Sequence, residues 1–182
     1  LRAVMCEVYR SYAYLLQSES LIDADKKYME SIIMGTANEV ALQRSLVNLT
    51  HYLKVHHGKS VLLLIDEYDA PIQSAWENDC YNSVIEFMRG FLSMALKSNS
   101  ALDFAVMTGV VRIAKESIFS ALNNFEVSTI VDGRYADVMG FTHDEVLEMS
   151  KSLGKADKFK EVCDWYDGYN FSGIDIYNPW SV

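Results

Sequence analysis

The chain has 182 residues, half of them hydrophobic, and its 16 basic residues are outnumbered by 25 acidic ones, which gives a net charge of −9. This size and composition predict one compact folded unit, and the acidic balance argues against broad electrostatic binding to nucleic acid or to an anionic membrane surface. No apolar run reaches the roughly 20 residues that span a bilayer, and no signal-peptide pattern is present. The three cysteines are far apart and fit neither a zinc site nor a disulfide framework. We therefore expect a cytoplasmic protein.

Three helices are predicted in the first third of the chain. Apolar residues recur every three or four positions over residues 1–17, as one face of a helix requires. A second helix is predicted over residues 25–34, with Gly35 as a left-handed C-terminal cap. The third is predicted over residues 38–55, where four leucines form a narrow apolar stripe.

A strand, a helix and a second strand are predicted next. Residues 61–65 form an unbroken apolar run, which is typical of a parallel strand that is buried on both faces. The helical period returns over residues 81–96, and residues 104–107 form a second short apolar run. This order predicts two parallel strands joined by a right-handed helical crossover.

The last third of the chain carries weaker signals. A short helix is predicted over residues 116–122, and a further strand over the β-branched stretch 127–131. Thr142 and Glu145 have the spacing of a capping box, so a helix should begin there, and a last helix is predicted over residues 156–165. The aromatic segment 165–180 is predicted to be a loop that packs at a domain junction, with a ligand platform as the alternative.

The strongest chemical signal is the pair Asp66 and Glu67, which directly follows the first predicted strand. Ligands of open parallel sheets bind at the carboxyl ends of the strands. In nucleotide hydrolases one acid at such an end holds Mg²⁺ and a second polarises the attacking water. Asp66 and Glu67 fit those two roles, although an acid in this place often only caps the next turn.

Three further residues are weighed beside the acidic pair. Asp69 precedes Pro71 closely, which favours a turn residue over a metal ligand. Thr108 follows the second strand, where its hydroxyl would lie beside the acids if the strands are neighbours; the alternative is a threonine that bonds a backbone carbonyl. Arg112 is a candidate phosphate contact, or else a member of a surface ion pair.

The tripeptide Gly58-Lys59-Ser60 spells the end of a phosphate-binding loop, but its surroundings are wrong for one. Such a loop needs an earlier glycine, where this chain has Leu53, and it must lead into a helix. Here a predicted helix precedes the tripeptide and a predicted strand follows it. Gly58 is therefore interpreted as the end of the third helix.

Five ordered motifs then support a resemblance to a known family. They are LIDEYDAPI at 64–72, MTGVVRIAKESIFSALNN at 107–124, GFTHDEV at 140–146, WYDGY at 165–169 and YNPWSV at 177–182. With them the chain resembles the predicted AAA-ATPase-like family of mostly bacterial proteins, whose members carry a phosphate loop upstream and often a nuclease-like domain downstream.

The resemblance implies an α/β fold, a partial P-loop NTPase-type parallel sheet flanked by helices. Residues 1–135 would be a partial ATPase core that lacks the phosphate loop, and residues 136–182 a helical, aromatic-rich extension of the same unit. It further implies Asp66 as the Mg²⁺-associated acid, Glu67 as the water activator, Thr108 as a sensor and Arg112 as a phosphate contact. The chain would then be a fragment that binds ATP poorly by itself.

The expected cofactors of the full-length protein are ATP and Mg²⁺, and its hydrolysis cycle would drive a conformational change in an attached module or a protein partner. An oligomer is compatible with this interpretation, whereas nucleic acid would be bound only through regions outside these residues. Two rivals remain open. One is a non-catalytic interaction domain, and the other is a phosphoacceptor or metal-dependent hydrolase that uses Asp66, Glu67 and Asp69.

Overall fold

The computed structural model of the protein describes residues 1–110, 125–129 and 131–181, with the side chain of Asp167 outside that description. The chain forms two compact units, Leu1–Phe125 and Glu126–Val182. The elements of the first unit, within the described residues, are α1 (Arg2–Ser11), a 3₁₀ turn (Ala13–Gln17), α2 (Asp23–Ile33), α3 (Glu39–His57), β1 (Val61–Ile65), α4 (Ala70–Glu77), α5 (Tyr81–Leu96) and β2 (Leu102–Met107).

The three predicted N-terminal helices are confirmed, although the first ends at Ser11 and a 3₁₀ turn follows it. Gly35 and Gly58 end the second and third as predicted, whereas the cap at Asn38 was not predicted. The side chain of Asn38 accepts a hydrogen bond of 2.8 Å from the Ala41 amide at the start of α3. Gly35 and Gly58 both adopt positive φ angles, 71° and 67°, after α2 and α3. Since Gly58 ends α3 and β1 begins at Val61, the tripeptide at 58–60 is not a phosphate loop.

The core of the first unit lies around α3, which packs against α1, α2 and α5. Tyr9 is fully buried there, and its hydroxyl donates a 2.7 Å hydrogen bond to the Ser45 carbonyl. Burial raises the pKa of the Tyr9 phenol far above its usual value, so the ring remains a neutral donor. Other core side chains with almost no exposure are Leu15, Met29, Ile32, Leu92 and Ala95.

The predicted parallel pairing of the two strands is confirmed, with Leu64 opposite Val106 and Ile65 opposite Met107. Burial on both faces, however, is wrong for the described residues. Leu63 faces the helices and is 9% exposed, whereas its neighbours Leu62 and Leu64 are 65% and 76% exposed. Phe104 and Val106 of β2 are exposed too. We call these four exposed side chains, Leu62, Leu64, Phe104 and Val106, the outer row of the sheet.

Helix α4 is not among the predicted elements. Pro71 lies in its first turn, where the missing N–H costs nothing, and Asp69 is its N-cap residue. Ile72 and Ala75 are the side chains that α4 buries. Only eight residues long, the helix is too short to produce a clear periodic signal.

The second unit is more than the predicted helical extension, because it contains a small sheet as well. Its elements, within the described residues, are a 3₁₀ turn (Gly133–Tyr135), β3 (Phe141–Thr142), α6 (His143–Ser152), a 3₁₀ turn (Ala156–Lys158), α7 (Phe159–Tyr166), β4 (Asp167–Phe171) and β5 (Ile174–Tyr177). The three strands are antiparallel in the order β3-β5-β4. Val146 of α6 and Ile176 and Tyr177 of β5 are buried.

The predicted capping box is confirmed. The Thr142 hydroxyl accepts a hydrogen bond from the Glu145 amide, and the Glu145 carboxylate accepts one of 2.8 Å from the Thr142 amide. The last predicted helix corresponds to the 3₁₀ turn and α7. The strand predicted over 127–131 is wrong, since residues 127–129 and 131 have no strand structure. The helix predicted over 116–122 lies outside the described residues.

The loop predicted over residues 165–180 is wrong, because β4 and β5 form a hairpin there. Ser172 and Gly173 turn the chain with φ angles of 53° and 89°. Tyr177 is packed, with 1% exposure, whereas Trp165 and Trp180 are 77% and 97% exposed. Packing at a domain junction stays a prediction.

Candidate functional site

The acidic pair and Thr108 lie together at the carboxyl ends of β1 and β2. Backbone hydrogen bonds continue the pairing beyond the strands: the Thr108 amide donates to the Ile65 carbonyl at 2.9 Å, and the Tyr68 amide donates to the Thr108 carbonyl at 3.0 Å. This continuation puts Asp66 level with Thr108. Because side chains alternate between the two faces of a strand, both residues extend the outer row.

Asp66 is oriented by two donors. The Thr108 hydroxyl and the Glu67 amide both donate hydrogen bonds to the same carboxylate oxygen, Oδ1, the amide at 3.0 Å. Within the described part of the chain the second oxygen, Oδ2, has no protein partner. The Asp66 carboxylate is therefore fixed through one oxygen and presents the other to solvent.

Glu67 has a backbone conformation that is unusual for its residue type. Its φ angle is 50°, in the left-handed region where a non-glycine residue is strained. Its carbonyl accepts a 3.1 Å hydrogen bond from the Ala70 amide, so the bend leads directly into α4. The Glu67 side chain is exposed, and no described residue pairs with its carboxylate.

Asp69 has a different role from the two acids before it. It is 1% exposed, and its Oδ2 accepts hydrogen bonds from the Gln73 side-chain amide at 2.8 Å and from the Val110 backbone amide at 3.1 Å. The carboxylate thus connects α4 to the segment that follows β2. Asp69 lies in the turn before α4, as predicted, but these two bonds of its carboxylate are not to the local backbone of that turn.

Gly109 is required by the close packing around this carboxylate. A Cβ atom on Gly109 would lie 2.7 Å from Cε1 of Tyr68 and 2.8 Å from Oδ1 of Asp69, which is too close for any side chain. Sequence reasoning did not identify Gly109 or the Asp69–Val110 bond. The usable signal is the Thr-Gly pair immediately after an apolar run.

The remaining predicted site residue, Arg112, lies outside the described residues. Within residues 1–110, 125–129 and 131–181, no three His, Cys, Asp or Glu side chains are grouped as a complete metal site. Mg²⁺ does not need such a group, since it commonly keeps several waters and binds through one or two carboxylates together with substrate phosphates. The Asp66 Oδ2 atom fits that mode of binding.

The fold and the site together define an α/β protein with acidic residues at the end of a parallel strand. A family model described as Predicted AAA-ATPase (AAA-ATPase-like) matches residues 5–119, and the chain belongs to this family. The matched region contains β1, β2, Asp66, Glu67 and Thr108, and it excludes the whole second unit.

One curated relative is an uncharacterized protein in the vnfD 5' region of Azotobacter chroococcum mcd 1. It is 33% identical over 127 residues, which are 69% of this chain and 24% of that protein. The chain therefore spans about a quarter of the length of the curated relative that it matches. No solved structure matches the chain. No helix within the described residues is long and apolar enough to cross a membrane.

Proposed function

We propose that the protein containing this chain binds and hydrolyses Mg-ATP at the carboxyl edge of the β1–β2 sheet. The cycle would drive a conformational change in an attached module or in a protein partner. The observation that carries the proposal is the arrangement of Asp66 and Glu67 at the end of β1, with the Thr108 hydroxyl bonded to Asp66. Membership of the predicted AAA-ATPase family supports it.

Each residue has a distinct role in this proposal. Asp66 would hold Mg²⁺, and the bound ion would neutralise phosphate charge. Glu67 polarises the attacking water, for which an exposed and unpaired carboxylate is suited. Thr108 responds to the terminal phosphate through its bond to Asp66, and Arg112 contacts phosphate.

In this proposal, most of the groups that bind the phosphates lie elsewhere in the longer protein. No stretch of these residues has the glycine-rich, Lys-Ser-containing pattern whose backbone amides surround the phosphates. The proposal therefore assigns a phosphate loop to the part of the longer protein N-terminal to Leu1. It follows that the 182-residue chain alone should bind ATP weakly.

The test measures ATP turnover and Mg²⁺-dependent nucleotide binding by the protein extended upstream of Leu1. Glu67→Gln should retain binding and lose turnover by about 100-fold or more, because it removes the base. Glu77→Gln, an exposed glutamate at the end of α4, is the matched control and should be unchanged. If the extended wild type neither binds nor hydrolyses ATP, the proposal is wrong.

A second candidate is a non-catalytic interaction domain, in which the same fold serves as a scaffold. The exposed outer row favours it, because four adjacent apolar side chains on a sheet are more typical of a contact surface than of a solvated one. The third interpretation, a hydrolase that uses Asp66, Glu67 and Asp69, gains no support, since the Asp69 carboxylate is buried in bonds to Gln73 and Val110.

A further inference from the structure

The turn between α4 and α5 brings two aromatic side chains together at the surface of the first unit. Trp76 lies in the last turn of α4, and Tyr81 is the first residue of α5. Their ring centroids are 5.5 Å apart and their planes meet at 88°. Both rings line a cavity of about 520 Å³, so two perpendicular aromatic walls border one open space.

Trp76 contributes little to the core of the unit. It is 72% exposed, whereas Ile72 and Ala75, which make the packed side of α4, are 2% and 3% exposed. An indole offers the largest apolar surface of any side chain together with one polar N–H group. An exposed tryptophan beside a second aromatic ring is typical of a surface that contacts a ligand.

The rest of the lining is polar, and its charge is negative. Among the described residues, Asp79, Cys80, Asn82 and Ser83 also line the cavity, and none of them carries a basic side chain. Asp79 has a φ angle of 55°, a strained conformation of the kind that occurs at functional sites. No described residue pairs with its carboxylate. The cavity thus combines two aromatic rings with one negative charge that no described residue pairs.

We propose that this cavity, which we call the Trp76 cavity, binds a small compound with a quaternary ammonium group. Such cations are recognised by the faces of aromatic rings, and a nearby carboxylate adds charge attraction. The 88° angle selects the shape of the ligand: a flat base or sugar would stack on only one ring, whereas a compact trimethylammonium group contacts both walls. Anions are disfavoured by Asp79 and by the net charge of −9.

The Trp76 cavity is separate from the acidic site. Helix α4 begins three residues after Glu67, and its eight residues put the cavity about 12 Å further along, since a helix rises about 1.5 Å per residue. Among the described residues, the lining of the cavity does not include Asp66, Glu67 or Thr108. The proposal therefore stands or fails independently of ATP hydrolysis.

The experiment compares choline with 3,3-dimethylbutan-1-ol, a neutral compound of the same shape, on the full 182-residue chain. Binding is followed by the NMR amide shifts of residues 79–83. The shift changes should reach a plateau as choline is added. Its affinity should be about tenfold higher than that of the neutral compound, because only the cation is attracted by the rings and by Asp79. Equal affinity of the two compounds would overturn the proposal.

Variants locate the binding. Trp76→Ala should weaken choline binding about tenfold, whereas Trp165→Ala, which removes another exposed tryptophan, should not change it. Asp79→Asn keeps a residue that tolerates positive φ and should weaken binding while reducing its dependence on salt. Unchanged affinity in Trp76→Ala would contradict the assignment. A short peptide with trimethyllysine presents the same group, and tighter binding of that peptide would identify a protein side chain as the source of the cation.

Discussion

The two small sheets of this protein are built on different principles. The parallel pair β1–β2 consists of apolar runs that depend on distant partners, because its inner face is covered by helices α3 and α5. The antiparallel sheet β3-β5-β4 depends on local chemistry. Its hairpin is held by a tight turn, in which the Asn170 side chain accepts a 2.9 Å bond from the Gly173 amide and donates one of 2.6 Å to Asp175.

The two sheets should therefore respond differently to substitution. Within the described residues, the parallel sheet is packed on its inner face alone, so the effect of a substitution depends on the face on which the side chain lies. In the antiparallel hairpin the turn sets the register, so backbone conformation matters more than the bulk of a side chain. Three substitutions, in order of expected effect, test this contrast.

The largest effect is expected from a comparison of two neighbouring leucines of β1, one packed and one exposed. Leu63→Ala removes a packed side chain and should lower the free energy of unfolding by about 2 to 4 kcal/mol, since it leaves a cavity against the core. Leu64→Ala makes the same chemical change on the outer row and should stay within about 0.5 kcal/mol. Urea unfolding measures both. Similar losses for the two variants would mean that the outer row is packed in solution.

The second substitution addresses the hairpin turn. Gly173→Ala should cost about 1 kcal/mol, because a Cβ atom is strained at a φ of 89°. Gly168→Ala in β4 is the control: its backbone does not have a positive φ, and the nearest atom to an added Cβ is 4.0 Å away. Hydrogen exchange of the β4 and β5 amides reports the stability of the hairpin. Equal protection in both variants would show that the backbone conformation of the turn does not limit the stability of the hairpin.

The smallest effect concerns the start of α6, which follows β3. Hydrogen bonds from the Thr142 amide and then from its hydroxyl lower the pKa of Glu145 below its usual 4.5. The folded state therefore holds this proton less tightly than the unfolded state does. The resulting stabilisation is fully present above about pH 4.5 and is lost as the pH falls through the lower folded pKa.

Glu145→Gln should consequently show a flatter loss of helicity than the wild type below about pH 4.5, because glutamine has no proton to gain. Glu148→Gln, an exposed glutamate on the same helix, is the matched control and should follow the wild type. Circular dichroism as a function of pH makes the comparison. If Glu148→Gln made the dependence of helicity on pH equally flat, the hydrogen bonds between Thr142 and Glu145 would not be its cause.

Sequence reasoning predicted the parallel sheet well and the antiparallel one poorly. An apolar run such as 61–65 has a strong signal, and the helix between two such runs implies a parallel crossover. The exposure of Leu62 and Leu64 was not predictable, because a continuous apolar run does not say which of its faces is covered. The β4–β5 hairpin was missed because its strands mix aromatic, polar and glycine residues without alternation.

The candidate site was predictable to the extent that it depends on strand order. Neighbouring parallel strands end at one edge, so the proximity of Asp66 and Thr108 followed from the motifs alone. The burial of Asp69 and the positive φ of Glu67 depend on how the chain enters α4, and no periodic pattern encodes that entry. The chemical roles of these residues stay predictions.

The irregularity at the beginning of the parallel sheet has a consequence for its far end. Val61 pairs with Leu102, but Leu62 pairs with Phe104, so Asp103 has no partner on β1. Because of this one extra residue, every later residue of β2 lies opposite a different residue of β1, and its side chain lies on the other face of the sheet. Without the offset, Asp66 would be level with Met107, and the Thr108 hydroxyl would point to the opposite face. The hydrogen bond between Thr108 and Asp66 is thus decided five residues earlier, by a count of residues in β2 and not by any side chain at the site.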